Sequence, residues 1–225
     1  MKAEFQTKMP FACVVALTRT ANKCRDLMKG HIEKAFDRPT PYAINAARAV
    51  PATKQTMASA VLLREFGGKG TPAEYFLGPE VDGGPRRQKR SEKALASAQY
   101  LQPGGFLVPG KGAAMNQYGN QQSAEVVKIL SVLRAFGERG YRANRTKGWA
   151  HKSEVGQIFA VRVGDNVNDL KPGVYRRTET GVVCLMRFVK KTPEYRVRLP
   201  FDALVQADAA RIFPEELKIA LYSFL

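Results

Sequence analysis

Residues that commonly build catalytic and metal sites are scarce in this sequence. Its 225 residues include 3 cysteines, at positions 13, 24 and 184, and 2 histidines. The odd number of cysteines and their wide spacing argue against a disulfide framework or a zinc site, so we interpret them as reduced core or interface residues. Carboxylates are also few, with 20 Asp+Glu, and no paired acidic motif of a two-metal nuclease or glycosidase is present. The sequence therefore predicts neither a metal nor a cofactor.

Long apolar runs are absent as well. None approaches the roughly 20 residues that a membrane-spanning helix needs. The first ten residues lack the basic and then apolar order of a secretory signal. We therefore expect a protein that is soluble and intracellular when made, with no membrane partner.

Positive charge is abundant. The chain carries 36 Lys+Arg, a formal net charge of +16, and 44% of its residues are hydrophobic. A compact chain with this charge repels itself unless a polyanion or partner subunits offset it. We expect a single α+β domain over residues 1–225, without internal repeats. Four segments are expected to be mobile, at about 67–70, 82–88, 110–122 and 140–155.

The two ends of the chain have the periodicity of long helices. Apolar residues recur at steps of three and four over residues 10–36, with Pro10 suited to the first turn and the prolines at 39 and 41 preventing continuation. A helix of that length is more than a small domain can cover, which suggests that part of it faces another subunit. Pro200 begins the last helix, which Pro214 is expected to break or kink.

The middle of the chain mixes short helices with strands. We predict a hairpin around residues 51–52, a short helix that Thr71 caps and that residues 78–79 end, a basic helix over 86–99 and a helix from Ser123 to about residue 138. A short strand lies at 106–108. From Gln157 a period of two predicts an antiparallel hairpin or three-stranded meander with a turn at 179–181. The fold class is therefore α+β, with long N-terminal and C-terminal helices packed on an antiparallel β-sheet and a basic, Gly/Pro-rich central region.

Residues 105–112 match the phosphate-binding loop pattern through Lys111. The match fails at residue 112, where glycine replaces the Ser/Thr that binds magnesium, and no buried hydrophobic strand precedes Gly105. We therefore interpret the segment as a Gly/Pro loop and do not predict ATP binding.

The histidines give no stronger sign of catalysis. His31 lies on the predicted first helix and His151 in a basic segment, and neither neighbours a nucleophile-elbow sequence. We expect no enzyme activity. Loss of an activity on His31→Ala or His151→Ala would reverse that expectation.

Three basic clusters remain as the main functional signal, since exposed lysine and arginine bind nucleic acid by releasing counterions. Tyr141 and Trp149 flank the second cluster and suit either base stacking or a subunit interface. A solvated surface that confers solubility is the alternative for each cluster. The first cluster is Arg86, Arg87, Lys89 and Arg90; the second is Arg142, Arg145, Lys147 and Lys152; the third is Arg187, Lys190, Lys191, Arg196 and Arg198. We expect the first two to face DNA or a partner.

Several stretches together resemble one family of proteins. They are residues 11–21, 36–42, 51–54, 68–76, 134–137 and 213–217. The chain resembles structural proteins of tailed bacteriophages and prophages, nearest to the minor tail protein Z or tail-completion family, although residues 83–112 depart from the family pattern. That family has a long first helix, a basic central portion with strands and a last helix with an internal proline, which here correspond to 10–36, 67–189 and 200–225.

The resemblance implies a virion protein of the tail or neck, made in the host cytoplasm, that performs no catalysis. It implies a homo-oligomeric ring around the DNA channel at the junction of head and tail, next to portal or connector proteins and tail proteins. Basic loops would then meet genomic DNA or acidic partner subunits. The alternative is a nonspecific DNA-binding or packaging-associated phage protein whose charge is its function.

Overall fold

The computed structural model describes residues 2–65, 70–136, 155–167, 169–192 and 194–224. The chain forms two compact units. Unit 1 comprises Met1–Gly84 and Tyr195–Leu225, and unit 2 comprises Pro85–Glu194. The single domain that the sequence predicts over residues 1–225 stays a prediction. The expected mobile segments at 67–70 and 140–155 lie almost wholly outside the described residues.

The fold is α+β, with a helix at each end of the chain and antiparallel sheets between them, as the sequence predicted. The basic, Gly/Pro-rich central region stays a prediction. The helices are α1 (Lys2–Ala35), α2 (Pro41–Ile44), α3 (Ala73–Asp82), α4 (Arg90–Ser97), α5 (Ser123–Val132) and α6 (Phe201–Phe224). The strands are β1 (Ala47–Val50), β2 (Ala60–Leu63), β3 (Gly84–Pro85), β4 (Phe106–Pro109), β5 (Ile158–Val161), β6 (Gly173–Thr178), β7 (Gly181–Val189) and β8 (Glu194–Tyr195).

Unit 1 is built on the pair of terminal helices α1 and α6, called the helix pair below. The predicted first turn at Pro10 was wrong, because α1 already begins at Lys2 in a stretch of good helix formers. Helix α6 continues through Pro214, so the predicted break does not occur there, and the alternative of a kink stays a prediction. The two helices approach closely because Ala12, Ala16 and Ala220 fill their contact without any exposed surface.

The hairpin predicted around residues 51–52 is confirmed and packs on α1. Strands β1 and β2 pair in antiparallel register, with Ala47 opposite Leu63. Before β1, Thr40 accepts a hydrogen bond from the Ala43 N–H and caps the short helix α2. The core of unit 1 contains fully buried residues from α1, including Met28 and Ile32.

Helix α3 differs from its prediction at both ends. Pro72, not Thr71, occupies the N-cap position, and no side chain caps the helix there. The chain does not leave the helix at residues 78–79. It continues through Pro79 to Asp82, because the turn around Pro79 buries Leu77 and Glu80, and Gly83 ends it with a φ of 78°.

Unit 2 contains the predicted antiparallel meander and one further strand. The sheet order is β4-β7-β6-β5, and a tight turn between Thr178 and Gly181 joins β6 to β7. Helices α4 and α5 supply Leu95 and Ile129 to a core that also contains Leu185 of β7. Both helices are shorter than predicted, α4 because it begins at Arg90 and α5 because it ends at Val132.

The loop over residues 110–122 carries its own hydrogen bonds. The side chain of Asn116 accepts hydrogen bonds from the N–H groups of Tyr118 and Asn120, each at 3.0 Å. The Ala114 N–H donates to Glu125 at 2.9 Å and so attaches the loop to α5. In the part of the chain that the structure describes, no helix has the length and apolar character needed to cross a bilayer.

Candidate functional site

In the first basic cluster, Arg86 differs from the other three residues in its exposure to solvent. The Arg86 side chain is only 12% exposed, and its guanidinium donates hydrogen bonds to both carboxylate oxygens of Glu92, one of them at 2.9 Å. The same guanidinium lies 4.8 Å from the centre of the Phe106 ring. Arg86 therefore contributes to the packing of unit 2, whereas Arg87, Lys89 and Arg90 have exposed side chains.

Glu92 is the buried centre of this arrangement, with no exposed surface. Besides Arg86, it accepts hydrogen bonds from the N–H of Lys89 at 2.6 Å and from the N–H of Leu107 at 2.8 Å. Burial by itself raises the pKa of Glu92, but Arg86 and the two N–H groups lower that pKa on balance. The carboxylate thus stays charged and joins the start of α4 to β4.

Sequence reasoning missed Glu92, although its spacing carried a signal. A glutamate three residues after a capping residue closes a capping box. The residue at the cap is Lys89, which is not among the side chains that usually mark a helix start.

The second basic cluster lies outside the described residues, as do Tyr141, Trp149 and His151. The expectations that Arg142, Arg145, Lys147 and Lys152 face DNA or a partner, and that Tyr141 and Trp149 form a subunit interface, stay predictions.

The third basic cluster belongs to both units. Arg187, Lys190 and Lys191 are exposed residues of unit 2, whereas Arg196 and Arg198 belong to unit 1. Arg198 lies 4.9 Å from the centre of the Phe36 ring and donates a hydrogen bond to the carbonyl oxygen of Ala35 at 2.9 Å. Its Nε is 3.9 Å from Oε2 of Glu80. Arg198 therefore packs against the end of α1.

Glu80 is a second buried carboxylate, in a different situation from Glu92. The residue is 8% exposed, and its Oε2 accepts no hydrogen bond from the described residues. Burial raises the pKa of Glu80, and the partly exposed Arg198 offsets only part of this effect. Glu80 is therefore the weaker acid of the two.

The segment that resembles a phosphate-binding loop forms strand β4 and a close approach to β7. The N–H of Gly110 donates to the carbonyl of Leu185, and the N–H of Gly112 donates to the carbonyl of Cys184, each at 2.9 Å. A Cβ atom on Gly110 would collide with the Cys184 carbonyl oxygen. These glycines thus let two backbones approach, and their own N–H groups are already used and unavailable to a phosphate.

His31 is part of a polar contact across the helix pair. Its Nε2 lies 2.9 Å from a carboxylate oxygen of Asp208 on α6, and Arg211 lies 3.3 Å from the other oxygen. Burial raises the pKa of Asp208, but His31 and Arg211 lower it on balance. Burial and the charge of Asp208 raise the pKa of the Cys24 thiol, which is unsuited to act as a thiolate nucleophile.

A second polar contact fixes the direction of the helix pair. Lys23 Nζ lies 2.5 Å from Oε1 of Glu216, and Glu216 is almost fully buried. The contacts of residue 23 with 216 and residue 31 with 208 show that α1 and α6 run antiparallel. Neither Asp208 nor Glu216 was predicted as a partner, because the sequence does not show which residues of two distant helices meet.

The helix pair also carries apolar side chains that it does not bury. On α6, Ile219 is 50% exposed and Tyr222 is 70% exposed. Elsewhere in unit 1 the exposed rings of Tyr42 and Phe76 lie with their centres 5.8 Å apart. Unit 1 therefore presents aromatic surface to its surroundings.

Within the described ranges, no group of three or more His, Cys, Asp and Glu side chains is placed to hold a metal ion. No protein-family model, curated protein or solved structure matches this chain.

Proposed function

We propose that this chain is a structural protein of a tailed-bacteriophage virion, a tail-completion or neck component that forms a homo-oligomeric ring around the DNA channel. In this role it contacts portal or connector proteins and tail proteins, works by assembly, and catalyses no reaction. The observation that carries the proposal is the outward apolar face of α6, at Ile219 and Tyr222.

The inner face of α6 is already occupied. Glu216 and Ala220, four residues apart, lie on the side that meets α1, whereas Ile219 and Tyr222 project elsewhere because successive helical residues turn by about 100°. Large exposed apolar side chains on a rigid support are typical of protein interfaces. A neighbouring subunit that covers them would explain why a soluble helix keeps them.

The distribution of charge supports the same role. A ring subunit around a DNA channel needs one region that packs on neighbours and one that tolerates a polyanion. Residues 85–194, the span of unit 2, hold 20 Lys+Arg and 8 Asp+Glu, a formal +12. The rest of the chain holds 16 Lys+Arg and 12 Asp+Glu, a formal +4.

The test is the mass of the native assembly and the place of the chain in intact particles. We expect native mass spectrometry to find a closed ring and imaging to locate it at the neck. The variant Ile219→Ser/Tyr222→Ser should yield smaller species, while Glu215→Ser/Lys218→Ser, which changes two exposed polar positions of the same helix, should keep the ring. Absence of the chain from mature particles would refute the proposal.

The second candidate is a nonspecific DNA-binding or packaging-associated phage protein, favoured by the +12 of residues 85–194. It requires DNA binding by the isolated chain without any protein partner, with an affinity that falls steeply with salt. A chain that binds DNA only after it has assembled would exclude this candidate.

A further inference from the structure

The sheet of unit 2 gathers basic residues from separate stretches of sequence at one of its ends. Val161, the last residue of β5, pairs with Gly173, the first residue of β6, and Gly173 pairs with Arg187 near the end of β7. The residues that follow β5, precede β6 and follow β7 therefore share one end of the sheet. This basic end consists of Arg162, Lys171, Arg187, Lys190 and Lys191.

The cations of the basic end are exposed and, within the part of the chain that the structure describes, are not paired with carboxylates. All five have exposed side chains, and among the described residues no salt bridge joins any of them to an acidic group. Asp165 and Asp169 also lie between β5 and β6. The Asp165 carboxylate accepts a hydrogen bond from the backbone N–H of Arg162 at 2.8 Å, which fixes the turn after β5.

One cation–π contact and one groove give the basic end a defined shape. The Arg162 guanidinium lies 4.7 Å from the centre of the Tyr100 ring, which restricts the long side chain before anything binds. A shallow groove of about 100 Å³ is lined by Leu101, Val163 and Lys190, among others. Lys190 thus lines the groove, and Arg162 precedes the groove residue Val163 in the chain.

We propose that the basic end binds the phosphodiester backbone of duplex DNA. This inference rests on the proposed function only for the identity of the DNA, the genome in the channel. Adjacent strands lie about 4.8 Å apart, so cations on β5, β6 and β7 span about 10 Å. Along the helix axis that span equals about three steps of 3.4 Å on one DNA strand, which separate about four successive phosphates.

The aromatic rings near the basic end have few accessible faces, which favours contact with the DNA backbone over contact with bases. Phe188 in the groove is buried, and one face of the Tyr100 ring is covered by Arg162. Unpaired bases need free ring faces for stacking. The basic end therefore fits the phosphates of a duplex better than a single strand.

The experiment compares two triple variants of the full chain that lose the same charge. Arg162→Gln/Lys190→Gln/Lys191→Gln changes the basic end, and Lys34→Gln/Arg64→Gln/Lys218→Gln changes exposed positions of unit 1. Fluorescence anisotropy with a labelled duplex gives the affinity over a range of salt concentrations. Log K decreases with log salt, and we expect the magnitude of this negative slope to be smaller by about 3 for the first triple variant. For the control variant the slope should stay nearly unchanged.

A double variant tests the same inference if the first triple variant does not fold. Lys190→Gln/Lys191→Gln leaves the Arg162–Tyr100 contact intact and should reduce the slope by about 2. Equal losses in both triple variants, or no binding of duplex by the wild type, would overturn the inference. Tighter binding of single-stranded DNA than of duplex would also overturn the inference, because it would assign the surface to bases. Tighter binding of poly-glutamate would overturn it as well, because it would assign the surface to an acidic protein.

The same samples separate this inference from the proposed function. Native mass spectrometry on the wild type tests the ring independently of DNA. A wild-type ring with no specific loss at the basic end would leave the function standing and remove the inference. A wild-type monomer, together with loss of duplex binding only in the first triple variant, would support the inference and refute the proposed function.

Discussion

The two units of this chain differ in what they expose. Unit 2 has a formal charge of +12 from its sequence, three times that of unit 1. Among the described residues, the large aromatic side chains that remain exposed belong to unit 1, and they include Tyr42, Phe76 and Tyr222. The comparison teaches that one chain can keep its exposed aromatic surface and most of its positive charge in different units, so that each is able to meet a different partner.

The units also differ in how they are held together. Unit 1 depends on close helix packing over small residues, with polar contacts such as His31–Asp208 that keep some exposure to water. Unit 2 depends on the buried Glu92 and on close approach of backbones at Gly110. Its stability is therefore more sensitive to single changes, and the following variants test that contrast.

The largest effect is expected for Glu92→Ala in unit 2. Removal of one partner from a buried ion pair leaves the other charge uncompensated and typically costs about 3–5 kcal/mol. Here Arg86 and two backbone N–H groups would lose their acceptor. Urea denaturation, with hydrogen exchange to locate the loss in unit 2, measures the change.

Glu179→Ala is the matched control, because Glu179 is exposed in the turn between β6 and β7. We expect a change of less than about 0.5 kcal/mol there. Similar small losses for both variants would show that Glu92 does not hold unit 2 together.

Gly110→Ala is expected to destabilise unit 2 by about 1–3 kcal/mol, as overpacking typically does. The new methyl group would meet the Cys184 carbonyl oxygen, and backbone cannot move aside as a flexible side chain can. Thermal unfolding measures the effect. An unchanged transition temperature would contradict the close approach of β4 and β7.

Glu80 and Glu92, two of the buried glutamates, predict opposite responses to acid, one in each unit. The pKa of Glu80 is raised from an ordinary 4.5, so the folded state takes up its proton first and gains stability as the pH falls through that raised pKa towards 4.5. The pKa of Glu92 is lowered from 4.5, so its contribution is present above 4.5 and is lost as the pH falls further through the lowered pKa.

The variant Glu80→Met isolates the first of these effects. It removes a buried oxygen to which the described residues donate no hydrogen bond, and it should stabilise unit 1 by about 1 kcal/mol at neutral pH. The gain over the wild type should shrink as the pH is lowered towards 4.5. Urea denaturation at several pH values measures it, and a gain that grows in acid would contradict the raised pKa.

The smallest effect is a stabilisation. Gly30 lies within α1, and a Cβ atom there would meet nothing within 4 Å. Gly30→Ala should therefore stabilise unit 1 by about 0.5–1 kcal/mol, the usual difference between the two residues inside a helix. Thermal unfolding should show a small increase in transition temperature, in contrast to the decrease for Gly110→Ala. A loss of stability would show that α1 is more crowded at this position.

Periodicity predicted the elements whose contacts are local. The apolar steps of α1 and the alternation in β6 and β7 come from neighbouring residues, so the sequence was sufficient for them. Helix ends were less predictable. Pro10, Pro79 and Pro214 all lie inside helices, although a proline there removes one backbone hydrogen bond.

Long-range contacts explain what sequence reasoning missed at the candidate sites. The role of Gly110 depends on β7, far along the chain, so the same glycines first suggested a phosphate loop. Arg86 was grouped with exposed cations because nothing in its sequence neighbourhood shows that Glu92 and Phe106 enclose it. The basic end likewise exists only once β5, β6 and β7 pair.

The path of the chain through unit 1 has a practical consequence. Gly83, where the chain leaves this unit, lies beside the backbone of Tyr195, where it returns, and the nearby Arg198 N–H donates to the Glu80 carbonyl at 2.8 Å. A few glycine and serine residues would therefore span the gap from Gly83 to Tyr195. The 111 residues from Gly84 to Glu194 thus leave and rejoin unit 1 at neighbouring points, which makes this segment a candidate for exchange with another module.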